Sequence, residues 1–142
     1  MKIIAILAIS LAFLSGTAQE LYRARTESFR KSVGRSEHAP FDTATKETAR
    51  TILLAKDAKE FTIGFPEDGE TIYIRYEVSK KESIKDKSDG VEYRSYTGYD
   101  EAGYPMVLYI SKDETKGMLY YYYTNGTGAF SKSEKMRIKK ER

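Results

Sequence analysis

Met118-Leu119-Tyr120-Tyr121-Tyr122-Tyr123-Thr124 ends a stretch, begun at Thr71, that contains every one of the chain's twelve tyrosines except Tyr22. A half-buried strand alternates its side chains between two faces, so a run of this kind divides into Met118, Tyr120 and Tyr122 against Leu119, Tyr121 and Tyr123. The same period holds upstream. Ile72, Ile74, Tyr76 and Val78 oppose Thr71, Tyr73, Arg75 and Glu77, and Met106, Leu108 and Ile110 oppose Val107, Tyr109 and Ser111. Val91, Tyr93 and Ser95 alternate with Glu92, Arg94 and Tyr96. Aromatic and β-branched side chains suit a pleated surface because they pack on cross-strand neighbours.

Turn residues punctuate these runs at Pro66-Glu67-Asp68-Gly69, Ser88-Asp89-Gly90, Asp100-Glu101-Ala102-Gly103, Lys112 to Gly117 and Asn125-Gly126. Connections this short join antiparallel neighbours, since parallel strands need a long crossover. The stretch is therefore read as an antiparallel meander.

Working outward, Phe61, Ile63 and Phe65 alternate cleanly, and Thr51 to Leu54 reads as the strand before them, joined through Lys56 to Lys59. The competing reading is a helix over about 42–56, with Asp42 as its cap and Ala44, Thr48, Ala49, Ile52 and Leu53 as its stripe. The hairpin makes the protein all-β, and the helix would make it α+β. Near the N-terminus, Tyr22, Ala24, Thr26 and Ser28 share a face with Arg23, Arg25 and Glu27 outside, until Phe29 breaks the alternation and predicts a bulge. Ser79 to Lys87 reads as a strand end and charged loop. Met136 and Ile138 suggest a short last strand, followed by a basic tail from Lys139 to Arg142. The expected fold is all-β, a small antiparallel meander barrel of about seven strands.

The first eighteen residues stand apart. Lys2 precedes an apolar run from Ile3 to Leu14, and Gly16-Thr17-Ala18 is a small-residue cleavage site, the pattern of a secretory signal peptide. Cleavage after Ala18 would leave one β domain, Gln19 to Arg142, secreted or periplasmic and without a stable membrane anchor. That domain contains no cysteine, so its core must hold it without disulfides. The formal charge of the whole chain, +3, falls by one with Lys2 and points to no electrostatic partner. A secretory address also argues against nucleic acid.

Residue chemistry argues against an enzyme. The one histidine, His38, sits in a loop with no nucleophile and orienting acid placed beside it, and one histidine without cysteine makes a poor zinc site. The acid pairs Glu67/Asp68, Asp86/Asp89, Asp100/Glu101 and Asp113/Glu114 lie in turns, where carboxylates bond local backbone. No metal or cofactor is expected. Asn125-Gly126-Thr127 matches a glycosylation sequon and is in any case a turn signal.

The signal peptide, the hairpin Thr51 to Phe65 and the meander Thr71 to Tyr123, with Tyr99-Asp100-Glu101-Ala102-Gly103-Tyr104 at one reversal, together resemble small secreted all-β bacterial proteins of the minimal lipocalin-like kind. The likeness lies in strand order and implies no particular functional residue. Two functions follow as expectations. One is non-enzymatic binding of a small apolar ligand inside the barrel, lined by Ile74, Tyr76, Leu108, Tyr120 and Tyr122. The other is an interaction module that engages a protein or glycan through an outer face made of Tyr73, Tyr96, Tyr109, Tyr121 and Tyr123.

Overall fold

The computed structural model describes residues 19–33, 42–87, 89–125 and 128–141, with side chains described among them except at 30–33, 42–48, 122–125 and 128–130. Residues 1–18, read above as a signal peptide, and His38 lie outside the described residues. Eight strands follow one another in these segments: β1 (Gln19–Val33), β2 (Asp42–Ala55), β3 (Glu60–Glu67), β4 (Glu70–Lys85), β5 (Glu92–Tyr99), β6 (Pro105–Ser111), β7 (Lys116–Asn125) and β8 (Gly128–Glu141). Each pairs antiparallel with the next, and β8 returns to β1, so the sheet closes into an all-β barrel. The count is eight against the expected about seven, and the C-terminal segment, read as a short strand with a basic tail, is one strand through Glu141.

Where a helix over about 42–56 competed, Asp42–Ala55 is strand. Arg50, Ile52 and Leu54 alternate into the interior while β2 pairs with β1 on one side and β3 on the other. Asp68 and Gly69, at φ 50° and 79°, make a two-residue turn between the paired Glu67 and Glu70, the conformation that asparagine, aspartate and glycine tolerate. The irregularity expected near Phe29 lies between Thr26 and Ser28 and shifts both pairings of β1 there. Beyond it Phe29, not Ser28, stands opposite the inward Glu134.

The strands are steeply staggered. Followed from Glu20 through Leu54, Phe61 and Tyr76, and resumed two residues on at Val78 through Gly98, Met106, Tyr121 and Lys132, the registers return to β1 at Lys31, near its other end. A stagger this large means strongly tilted strands and a correspondingly wide barrel. It also divides β4 between its partners. Glu70 to Glu77 pair with β3, and Glu77 to Lys85 pair with β5. Ser79 to Lys85, expected as a loop, is therefore strand held on one side.

The apolar residues face in. Tyr22, Ile52, Phe61, Ile63, Met106, Leu108, Ile110 and Leu119 are fully buried, with Ala24, Leu54, Tyr76, Tyr96, Met136 and Ile138 in the same cluster. Phe61 stacks on Tyr76 at 5.2 Å, and Gly98 makes room for both: a Cβ there would stand 2.9 Å from Tyr76 Cβ and 3.0 Å from Phe61 Cε1. Arg23, Arg25, Glu27, Arg75, Glu77, Arg137 and Lys139 are exposed outside.

Candidate binding site in the upper barrel

Call the end carrying the β3–β4 and β5–β6 turns the upper end; both ends of the described chain then lie at the lower one. The lower and middle interior is filled by the apolar cluster. Above the level of Ile63 and Leu119 the packing changes. Phe65, Ile72 and Ile74 keep the inward parity of Ile63 and Tyr76, and Tyr121 that of Leu119, yet all four are partly exposed. Phe65, Ile74 and Tyr121 pack on the buried cluster from above, and with Ile72 they form the partly exposed upper end of the interior, the cup.

The floor of the cup is polar. Arg50 follows the inward parity of Ile52, and Glu134 that of Met136; they are 7% and 1% exposed, and Arg50 Nη2 donates to Glu134 Oε1 at 2.7 Å. Arg50 Nη1 donates to the Ala49 carbonyl at 3.1 Å. The Tyr121 hydroxyl donates to Glu134 Oε2 at 3.1 Å, and Thr26 Oγ1 reaches Glu134 Oε1 at 3.4 Å. Lys132 Nζ stands 3.9 Å from the same carboxylate and 5.5 Å over the Phe29 ring. The Arg50 guanidinium lies 5.0 Å over Phe65, which meets Tyr121 edge-on at 6.0 Å. Burial, then the Glu134 charge, raise the Tyr121 phenol well above its ordinary value, outweighing Arg50, so it is a neutral donor at physiological pH.

Of the interior set expected from sequence, Ile74, Tyr76 and Leu108 do face in, with Tyr76 and Leu108 in the packed middle and Ile74 higher, in the cup. Tyr120 does not. The pairing of Leu108 with Leu119 and of Met106 with Tyr121 turns Leu119 and Tyr121 inward, which leaves Tyr120 outside, opposite Val107. Two expected outer residues are likewise inside: Tyr121, and Tyr96, which pairs with Leu108 and is buried. The alternation was read correctly, but the two faces were exchanged, because aromatic residues occupy both and only the partner strand distinguishes them. Tyr73 and Tyr109 are outside as expected; Tyr73 lies over Gly64, and Tyr109 meets Tyr93 edge-on at 6.4 Å. The side chains of Tyr122 and Tyr123 lie outside the described residues.

Arg50, Lys132 and Glu134 were not anticipated, although parity could have found them. Arg50 is two residues from Ile52, and Glu134 two from Met136, so each alternation carries a charge inward. Among the described residues no group of three or more histidines, aspartates or glutamates is gathered as a metal site. No protein-family model, curated protein or solved structure matches the chain.

Proposed function

We propose that this protein is a secreted or periplasmic, non-enzymatic binding protein that holds a small, largely apolar ligand in the upper half of its barrel. The observation that carries this reading is the row Phe65, Ile72, Ile74 and Tyr121, inward-facing and partly exposed above a filled core. A concave apolar wall with a few convergent polar groups is the usual make-up of a small-molecule site. The resemblance to minimal lipocalin-like proteins agrees with it. The outer tyrosine face is the weaker reading, since Tyr96 and Tyr121 lie inside and Tyr93 and Tyr109 are engaged with one another.

A neutral naphthylamine fluorophore, whose emission rises in apolar surroundings, tests the reading. Its emission is expected to rise on addition of the protein and to fall to the free value with Ile74→Arg, which puts a charge in the cup; because Ile74 also packs on the buried cluster, the far-ultraviolet circular dichroism of the variant must match that of the parent. If Ile74→Arg left binding unchanged and Tyr109→Ser with Tyr120→Ser abolished it, the outer face would be the site.

A further inference from the structure

We infer that the ligand of the upper barrel carries an acidic group, a carboxylate on an apolar body, received by Arg50 and Lys132; the inference rests on the binding function proposed above. It begins with an unmet donor. Arg50 is more than nine-tenths buried, its two terminal nitrogens are engaged by Glu134 and the Ala49 carbonyl, and its Nε is buried with no hydrogen-bond acceptor. A guanidinium N–H without a partner in a low-dielectric interior is costly, and such groups are rare enough to call for a reason.

Charge points the same way. Among the described residues the cluster holds two cations, Arg50 and Lys132, against the single carboxylate of Glu134. Hydrogen bonds from Tyr121 and Thr26 are made to Glu134 and fix that carboxylate, and among the described residues no second carboxylate faces the two cations. A second carboxylate that entered beside Arg50, displacing the side chains that now cover its Nε, would accept from that nitrogen and sit near the Lys132 ammonium. Ionised partners make the stronger class of hydrogen bond, and guanidinium planes suit carboxylates in particular.

The walls suit the remainder of such a molecule. Phe65 lies beneath the Arg50 guanidinium and against Tyr121, and Ile72, opposite Phe65, and Ile74, opposite Ile63, continue the apolar surface onto β4. An acid head beside Arg50 therefore has apolar side chains next to it for the rest of the molecule. A neutral lipophile would satisfy the walls and leave Nε unmet.

Displacement of the neutral fluorophore by dodecanoic acid and by dodecanol, equal in chain and different in head group, tests the inference. The acid is expected to displace it at roughly tenfold lower concentration, the scale of one charge-assisted hydrogen bond. Lys132→Met is expected to narrow the gap, and Arg50→Met combined with Glu134→Leu, which leaves no lone buried charge, to close it. Should the double variant fail to fold, the half-exposed Lys132 position carries the test alone. Equal displacement by acid and alcohol would overturn the acid inference and leave the apolar site standing. Fluorophore that binds but yields to neither would also overturn it, and fluorophore that never binds would remove both.

Discussion

Arg50 and Glu134 are held in the interior against a desolvation cost of several kcal/mol per ion, which their 2.7 Å contact and the hydrogen bonds from Tyr121 and Thr26 offset. Removing one partner strands the other. Glu134→Ala is expected to cost about 3–5 kcal/mol, because it leaves Arg50 charged, buried and facing Lys132. The paired change Arg50→Met with Glu134→Leu removes both charges, keeps the volume, and is expected to cost far less than the two single losses together. Urea unfolding of the two single variants and the double variant measures the coupling directly. If the single losses simply added up in the double variant, the two residues would not be acting as a pair.

At the scale of the strand, β4 carries an open edge. Among the described residues its lower half, Ser79 to Lys85, is paired with β5 alone, and an unpaired strand edge is a template for another chain. The sequence along that edge reads Ser79-Lys80-Lys81-Glu82-Ser83-Ile84-Lys85, with Lys80 and Glu82 ion-paired at 2.9 Å on the outside. Charges on an edge strand oppose edge-to-edge pairing. Lys80→Thr, Lys81→Thr and Lys85→Thr together are expected to leave thermal stability nearly unchanged while producing concentration-dependent oligomers. Size-exclusion chromatography over a range of loading concentrations would show them, and a monomer throughout would mean that the bulge between Val78 and Lys80 is protection enough. The same strand shows what was legible beforehand. Ile72, Ile74, Tyr76 and Val78 announce their face because only that face is apolar. Ser79 to Lys85 has no apolar face, so its strand character comes from the backbone of β5 and was invisible in its own residues. Tyr120 and Tyr121 of β7 fail for the opposite reason, being suitable for either face, and their direction is set by Leu108 and Met106 across the ladder.

For the molecule as a whole, closure depends on the seam between β1 and β8, and the lower end of that seam is tied by polar groups. The Tyr22 hydroxyl stands 2.9 Å from Glu20 Oε2 and 2.8 Å from Glu114 Oε2, while Lys140 Nζ lies 3.2 Å from Glu20 and 3.4 Å from Glu114. The start of β1, the end of β8 and the turn between β6 and β7 are thereby joined around one phenol. Burial, then the hydrogen bonds with Glu114 and Glu20, raise that phenol far above its usual range. Tyr76 is raised by burial and the Asp100 charge, Tyr121 by burial and Glu134, and Tyr93 is pushed up to about 12 by burial and Asp89. In each case the fold favours the neutral phenol, while in the unfolded chain the same groups ionise near pH 10. Their contribution to stability is therefore complete below about pH 10 and is lost as the pH rises from there toward the folded values. Because these tyrosines lie in the lower seam, the packed middle, the cup and the outer wall, the loss strikes the whole barrel at once. The expected result is one cooperative alkaline transition beginning above pH 10. Phenolate absorbance and far-ultraviolet circular dichroism, followed on the same samples, decide it: part of the phenolate signal should appear only as the strand signal disappears. Complete ionisation of all twelve tyrosines with the strand signal intact would show that buried phenols do not hold this barrel closed.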